Sequence, residues 1–272
     1  MESSLQQNEP FSHNVTRVVQ LSDCHLGADQ SFMLAGINTF HSFTQSLAEI
    51  EGNLKKPALI AVTGDIASAG DPQTYQLFSN AMSSSQLPYA WLPGNHDDFS
   101  LMKKSALQPF TRLVELGSWV AIFLVSAVPG EVYGEISDTA LDELDELLAQ
   151  YEDKNIVLFV HHPAAPIGCK WLDQQRIANS EQFGDLIAQH ENVRALFSGH
   201  VHQENESMWR GLPVYSVPST CFQFASGSDT FELSDLPPGY RWIDLHPDGR
   251  METGVERINY DMGKMDHSCL GY

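Results

Sequence analysis

Short apolar runs alternate with amphipathic stretches along this chain. Segments 17–22, 58–63, 88–92, 120–125, 156–160 and 194–198 are runs of five or six mostly apolar residues, the length of a buried strand. Between them the apolar positions fall at helical spacing. In 39–51 they are Phe40, Phe43, Leu47 and Ile50; in 138–151 they are Leu141, Leu144, Leu147 and Leu148. A helix is predicted over 72–84, with Pro72 in a tolerated first-turn position and Asp71 as its cap. Another is predicted over 180–190. Segment 101–116 reads as partly helical, broken near Pro109. After Leu212 the pattern becomes strand-like, with pieces at 213–217 and 240–245 and a turn signal at His246-Pro-Asp-Gly249. Strands alternating with helices, then more strands, predict an α/β layered domain with mixed sheets.

No repeat or linker divides the chain. Residues 1–14 are expected to be a flexible arm, and 15–272 a single domain that includes the C-terminal segment. No apolar run approaches the ~20 residues of a membrane helix, and the polar N-terminus lacks a signal-peptide pattern. The expected compartment is the cytoplasm. Four cysteines without a Cys-x-x-Cys pair fit reduced thiols there.

Charge narrows the partners. Thirty-five acidic and 15 basic residues give a net −20. Such a surface repels long nucleic acids and acidic membranes, which bind through Lys and Arg. A small phosphate substrate remains open, because a metal site carries its own positive charge. The acidic run over 138–152 reads as the solvated face of its helix.

The chemistry sits just after the apolar runs. The first is followed by Asp23-Cys-His25, the second by Gly64-Asp65 and the third by Gly94-Asn-His-Asp97. Segment 156–160 leads into His161-His-Pro163, and 194–198 into Gly199-His-Val-His202. Six of the eleven histidines lie in these five segments. In open α/β sheets, ligands bind at the C-terminal ends of the strands. Asp23 and His25 are two apart, as are His200 and His202, so continued strand geometry would aim each pair to one face. Gly64, Gly94 and Gly199 suit sharp turns or close backbone approach.

Taken singly these segments are weak signals. Asp-x-His occurs by chance, Asn-His-Asp can be a polar turn, and Asp65 can cap a helix. Chance would have to repeat the same His-rich, Gly-flanked ending at five strands. The donors are carboxylate, amide and imidazole without thiolate. That set suits Mn(II), Fe(II) or Zn(II), and its number suits two ions.

The order Asp-x-His, Gly-Asp, Gly-Asn-His-Asp, His-His-Pro, Gly-His-x-His resembles the calcineurin-like metallophosphoesterases. Further blocks resemble the bacterial class III cyclic 3′,5′-AMP phosphodiesterases within them: 37–40, 91–96, Gly168-Cys-Lys-Trp-Leu-Asp173, Pro218-Ser-Thr-Cys-Phe-Gln-Phe224, 238–241 and the terminal Gly271-Tyr272. The resemblance implies a four-layer α/β/β/α sandwich with two mixed sheets. It implies one divalent ion on Asp23, His25, Asp65 and His202, and a second on Asp65, Asn95, His161 and His200, with Asp65 bridging. Fe(II), Mn(II) or both are expected, with Zn(II) an alternative. Substrate would meet His25, Asp65, Asn95, His96 and His202, and the catalytic residues would be His96 and Asp65. His162 is read as structural, since strand neighbours point to opposite faces. By the same argument Cys24 points away from the metals. Val125-Ser126-Ala127 stands where the family has an Asp-Ser pair.

By this resemblance the chain is an enzyme that hydrolyses cyclic 3′,5′-AMP to 5′-AMP. A hydroxide bridging the two ions attacks phosphorus in line, and His96 assists the leaving 3′ oxygen. The alternatives are a related enzyme acting on a 2′,3′-cyclic nucleotide or a nucleotide-linked pyrophosphate, and a non-catalytic scaffold on the same fold. Candidates for base contact are 26–36, 169–173 around Trp171, and 219–224. The expected partner is a small cyclic nucleotide, with no long nucleic acid and no membrane. Oligomeric state and cyclic AMP versus cyclic GMP selectivity are not legible.

Overall fold

The computed structural model describes residues 15–105, 108–263 and 265–269. The expected N-terminal arm, 1–14, and the Gly271-Tyr272 block lie outside them.

The chain opens with β1 (Thr16–Leu21) and α1 (Thr39–Gly52), then β2 (Leu59–Thr63), α2 (Pro72–Ser85), β3 (Tyr89–Leu92) and α3 (Phe99–Ser105). There follow β4 (Leu113–Leu116), β5 (Trp119–Phe123), α4 (Asp138–Gln150), β6 (Asn155–Phe159), α5 (Ser180–Ile187) and β7 (Val193–Ser198). The last strands are β8 (Asn205–Trp209), β9 (Leu212–Ser216), β10 (Gly239–Leu245) and β11 (Met251–Arg257).

These make two mixed sheets, ordered β11-β10-β1-β2-β3 and β8-β9-β7-β6-β5-β4. In the first, β1, β2 and β3 are parallel and β10 and β11 add antiparallel. In the second, β5, β6, β7 and β9 are parallel, with an antiparallel strand at each edge.

Three apolar layers separate four layers of structure. The central one lies between the sheets, where Val18, Leu59, Ala61 and Leu92 meet Trp119, Phe123, Phe159 and Phe197. Outside the first sheet, Phe43, Leu47 and Ile50 of α1 and Tyr75 and Phe78 of α2 cover Val19, Leu21, Ile60 and Val62. Outside the second, Leu141, Leu144 and Leu148 of α4 and Phe183 of α5 cover Ile122, Ile156 and Leu158. Both faces of each parallel core strand are therefore dry, which is why those strands read as unbroken apolar runs. Each fully buried Leu or Phe stabilises the fold by about 1.5–3 kcal/mol.

The helix starts follow from local chemistry. The Asp71 carboxylate accepts from the Gln73 and Thr74 backbone N–H groups, as expected. Asn38 caps α1 through the His41 N–H, and Ser137 caps α4 through the Ala140 N–H.

Some expectations fail. Segment 101–116 is helical only to Ser105, and its second half is β4, the edge strand hydrogen-bonded to β5. α5 stops at Ile187, three residues before the predicted end. β8 is a strand that no apolar run announced. Its side chains are largely exposed, and its pairing with β9 defines it.

Where the sheets face each other, Gln20 of β1 is fully buried. Its amide donates to Thr63 Oγ1 of β2 at 3.0 Å and to the Ser198 carbonyl of β7 at 3.1 Å. This polar tie joins the C-terminal ends of β1, β2 and β7 across both sheets and sets those ends against each other.

Candidate metal centre

The five His- and Asp-bearing loops all leave the C-terminal ends of parallel strands β1, β2, β3, β6 and β7. The loops after β1 and β2 run side by side: Asp23 N–H donates to the Gly64 carbonyl and His25 N–H to the Asp65 carbonyl. In the second sheet, the loops after β6 and β7 pair likewise: Gly199 N–H donates to the His161 carbonyl. Convergence is thus built by backbone pairing between loops.

The local geometry is not extended strand. Asp23, His25, Asp65, His200 and His202 all have φ between 43° and 68°. They are five of the eight non-glycine residues with positive φ among the described residues. The expectation of strand alternation is therefore corrected: left-handed residues turn the chain at five of the seven ligand candidates, all but Asn95 and His161. Such residues cost about 1–3 kcal/mol each and persist only where their surroundings over-determine them. Cys24 does point away, into the apolar layer under α1 and α2.

Two glycines make the approach feasible. Gly64 has φ +95°. A Cβ on Gly94 would lie 2.1 Å from Asp65 Oδ1, so no other residue fits without moving that carboxylate.

All eight expected site residues come together. Asp23, His25, Asp65, His161, His200 and His202 are buried, whereas Asn95 and His96 are half-buried. His25 Nε2 and His202 Nε2 are 3.1 Å apart. Asp23 Oδ1 lies 3.5 Å from His202 Nε2, and Asp65 Oδ2 lies 3.7 Å from His25 Nε2. On the other side Asp65 Oδ2 lies 3.3 Å from His161 Nε2. Asn95 Oδ1 lies 3.1 Å from His161 Nε2 and 3.0 Å from His200 Nδ1. One Asp65 oxygen thus faces both groups, and the other accepts the His96 backbone N–H at 2.9 Å.

The outer ring nitrogens settle which lone pairs point inward. His161 Nδ1 faces the Thr63 carbonyl at 2.8 Å and His202 Nδ1 faces the Phe222 carbonyl at 2.9 Å. A carbonyl only accepts, so both Nδ1 atoms carry protons and both Nε2 atoms present lone pairs in the neutral ring. His200 is reversed: Nε2 donates to Gln175 Oε1 at 3.1 Å, leaving Nδ1 toward Asn95.

These donors fit two cations sharing Asp65. Lone pairs and carbonyl oxygens meet head-on at about hydrogen-bond distance, an arrangement that needs positive charge between them. The titration behaviour agrees. Burial alone would remove charge from both Asp65 and His161. Instead the imidazole holds the Asp65 carboxyl well below the usual range and Asp65 keeps His161 up at about 9, so the buried carboxylate favours positive charge beside it. Burial holds His25 and His200 well below the ordinary imidazole range, in the neutral form that ligates metals.

His162 requires a correction to its expected orientation. β6 ends at Phe159, so the strand rule does not govern 161 and 162. The two rings lie 4.8 Å apart and the His162 ring sits 4.7 Å from that of His200. Its Nδ1 bonds Ser126 Oγ at 2.9 Å, within the Val125-Ser126-Ala127 segment.

Sequence reasoning missed two residues. Asp97 accepts from the backbone N–H groups of Ile66, Ala67 and Gly94 and from Tyr75 Oη, tying the loop after β3 to the loop after β2. Its place in the Gly-Asn-His-Asp block was the available signal. Gln175 had none, because it lies 25 positions from His200 in sequence.

A cavity of about 270 Å³ opens on these groups. Asp65, Asn95, His96, His200 and His202 line one side, and Trp171, Phe224 and Phe231 the other.

Residues 16–204 match the family model described as calcineurin-like phosphoesterase. The chain is 34% identical over 271 residues to the 3′,5′-cyclic adenosine monophosphate phosphodiesterase CpdA of Pseudomonas aeruginosa, covering 99% of this chain and 100% of that one. It is 37% identical over 248 residues to the CpdA of Haemophilus influenzae, covering 90% of each. A dimetal phosphatase from Danio rerio has a similar fold, with a TM-score of 0.61 at 12% identity over 90% of this chain and 99% of that one.

Proposed function

This chain belongs to the calcineurin-like phosphoesterase family, and from that premise we propose that it hydrolyses cyclic 3′,5′-AMP to 5′-AMP. The observation that carries the reading is the sharing of Asp65 Oδ2 between two groups of buried donors, with His96 beside them. One divalent ion is assigned to Asp23, His25, Asp65 and His202, and the other to Asp65, Asn95, His161 and His200. Mixed oxygen and imidazole donors suit Fe(II) or Mn(II), and we take one or both as native, with Zn(II) as the alternative.

When bound, two such ions supply positive charge against the phosphate oxygens and acidify a water toward neutrality. The chain's residues then have distinct tasks. Asp65, through its Oδ2, keeps the two positions a fixed distance apart, while the His96 N–H holds its Oδ1. His161 and His202 are held against rotation by the Thr63 and Phe222 carbonyls.

His96 packs edge-on to His25, with ring centroids 4.9 Å apart. Its Nδ1–H donates to the Ser68 carbonyl at 3.0 Å, so Nε2 is the nitrogen that takes up the second proton and gives it up from the imidazolium form. In the reaction the water oxygen bonds to phosphorus, the bond from phosphorus to the 3′ oxygen breaks, and Nε2 protonates that oxygen. Half-burial lets His96 reach both substrate and solvent. Asn95 and His202 line the cavity with His96 and, with the buried His25 behind them, are assigned to the phosphate.

We place the enzyme in the cytoplasm. No described helix is long and apolar enough to cross a membrane, and Cys24, Cys169 and Cys221 are buried thiols.

The test is incubation of the purified protein with cyclic 3′,5′-AMP and Mn(II), before and after chelation, with 5′-AMP and 3′-AMP separated by chromatography. Metal-dependent 5′-AMP is expected. Release of 3′-AMP would overturn the leaving-group assignment. No turnover of cyclic AMP beside brisk hydrolysis of an aryl phosphodiester would move the substrate elsewhere.

A further inference from the structure

The cavity over the candidate metal centre has two unlike halves, and the half away from the metals is not accounted for by hydrolysis. Its wall is three aromatic rings. Trp171 meets Phe224 at 5.0 Å and Phe231 at 5.5 Å between ring centroids, and Phe224 meets Phe231 at 5.4 Å. All three pairs are edge-on, so the cluster is mutually supporting.

The wall is built rigidly from two separate segments. Trp171 sits in a loop closed by Asp173, which accepts the Ile167 N–H at 2.7 Å and the Gly168 N–H at 3.2 Å. Phe224 lies in a short hairpin, Gln223–Phe224 against Leu233–Ser234, and Phe231 lies just before its return strand. Cys169 Sγ donates to the Ser228 carbonyl at 3.1 Å and joins loop to hairpin. Buried Cys169, Leu172, Phe222 and Leu233 support both from beneath.

The charge of the lining matters equally. Among the described residues no lysine or arginine lines this cavity; its charged or chargeable members are Asp65 and the three histidines His96, His200 and His202. A pyrophosphate or polyphosphate outside the metals' reach would meet no cation there, within a protein of net charge −20. A ligand with one phosphate and a planar apolar body meets metals at one end and rings at the other.

We infer that Trp171, Phe224 and Phe231 form the subsite that holds the purine base, selecting a singly charged phosphodiester with a planar base over nucleotides with longer phosphate chains. The inference rests on the proposed cyclic-nucleotide activity for the orientation of the ligand. Phe224 also stacks on His202, with centroids 4.3 Å apart, so it positions a metal-site histidine as well and is a poor test residue. Trp171 and Phe231 are the ones to vary.

The experiment compares binding of 5′-AMP and ribose 5-phosphate to the Mn(II)-loaded protein by calorimetry. The two share phosphate and sugar and differ only in the base. Stacking is worth about 1–3 kcal/mol per base, so wild type should favour 5′-AMP by about 5- to 150-fold. Phe231→Leu and Trp171→Leu should each shrink that preference to about threefold or less, while Phe231→Tyr keeps it.

Equal affinity of wild type for both ligands overturns the inference, and that comparison needs no variant to fold. Retention of the full preference in both leucine variants overturns it too. Adenosine 5′-diphosphate binding tighter than 5′-AMP would overturn the charge argument. A preference for 5′-AMP without hydrolysis of cyclic AMP would leave the base subsite standing and remove the proposed activity. Hydrolysis without the preference would do the reverse.

Discussion

Gln175 Oε1 accepts the Nε2–H of His200 at 3.1 Å, and this contact decides which nitrogen of His200 faces the candidate metal centre. His161 and His202 present Nε2 inward, whereas His200 presents Nδ1. A hydrogen bond on the outer ring nitrogen sets both tautomer and orientation, and losing one costs about 10- to 100-fold in metal affinity. Gln175→Ala should therefore weaken binding of one of two Mn(II) ions by that factor and leave the other near wild type. Equilibrium dialysis counts the ions. Equal weakening at both positions, or none, would show that Gln175 does not orient His200.

His96 separates chemistry from metal binding. Its side chain is assigned to the leaving oxygen and to no ion. His96→Ala should retain two bound ions while kcat for cyclic AMP falls by about 10²–10⁴, the usual worth of a general acid. Metal content by atomic emission, measured beside the rate, distinguishes this from a structural role, in which metals and activity would be lost together.

Gly94 has no room for a side chain beside the shared carboxylate. A methyl group there would lie 2.1 Å from Asp65 Oδ1 and 2.5 Å from the Asp65 backbone nitrogen. Neither can yield without displacing the shared carboxylate. Gly94→Ala should lower unfolding stability by about 1–3 kcal/mol, the usual cost of overpacking, and reduce metal content at both positions. Urea denaturation and metal analysis check the two parts. A variant with wild-type metal content would show that the loop adapts.

Acid stability should carry a contribution from Asp244, far from the centre. Burial would raise this carboxyl, but Arg17, with two contacts of 2.8 Å, and Lys55, at 2.7 Å, hold it below the ordinary range. A carboxyl whose folded pKa is depressed stabilises the fold above its unfolded pKa of about 3.9, and the stabilisation is lost as pH falls through the folded value. Asp244→Asn should thus lower the urea midpoint at pH 7, and its difference from wild type should shrink below about pH 4. A difference that is constant with pH would mean that the ion pairs contribute nothing.

Much of this protein was legible before any coordinate. The apolar runs marked β1, β2, β3, β5, β6 and β7, because strands dry on both faces need no alternation. The polar blocks after five of them carry the eight residues that the structure brings together. Edge strands escaped. β8 is mostly solvated and β4 was taken for a helix, since both owe their conformation to a neighbouring strand rather than to their own pattern.

The sequence by itself determined the donor chemistry: which loops carry carboxylate, amide and imidazole. Only the tertiary structure decided how those donors meet. Left-handed backbone at Asp23, His25, Asp65, His200 and His202, not strand alternation, aims them inward. Hydrogen bonds from residues remote in sequence choose the nitrogen each ring presents. The aromatic wall of Trp171, Phe224 and Phe231 exists only because a loop and a hairpin some fifty residues apart fold against each other. The reason is physical: a residue type is a local property of the chain, whereas tautomer, orientation and the far wall of a cavity depend on what the rest of the chain places alongside.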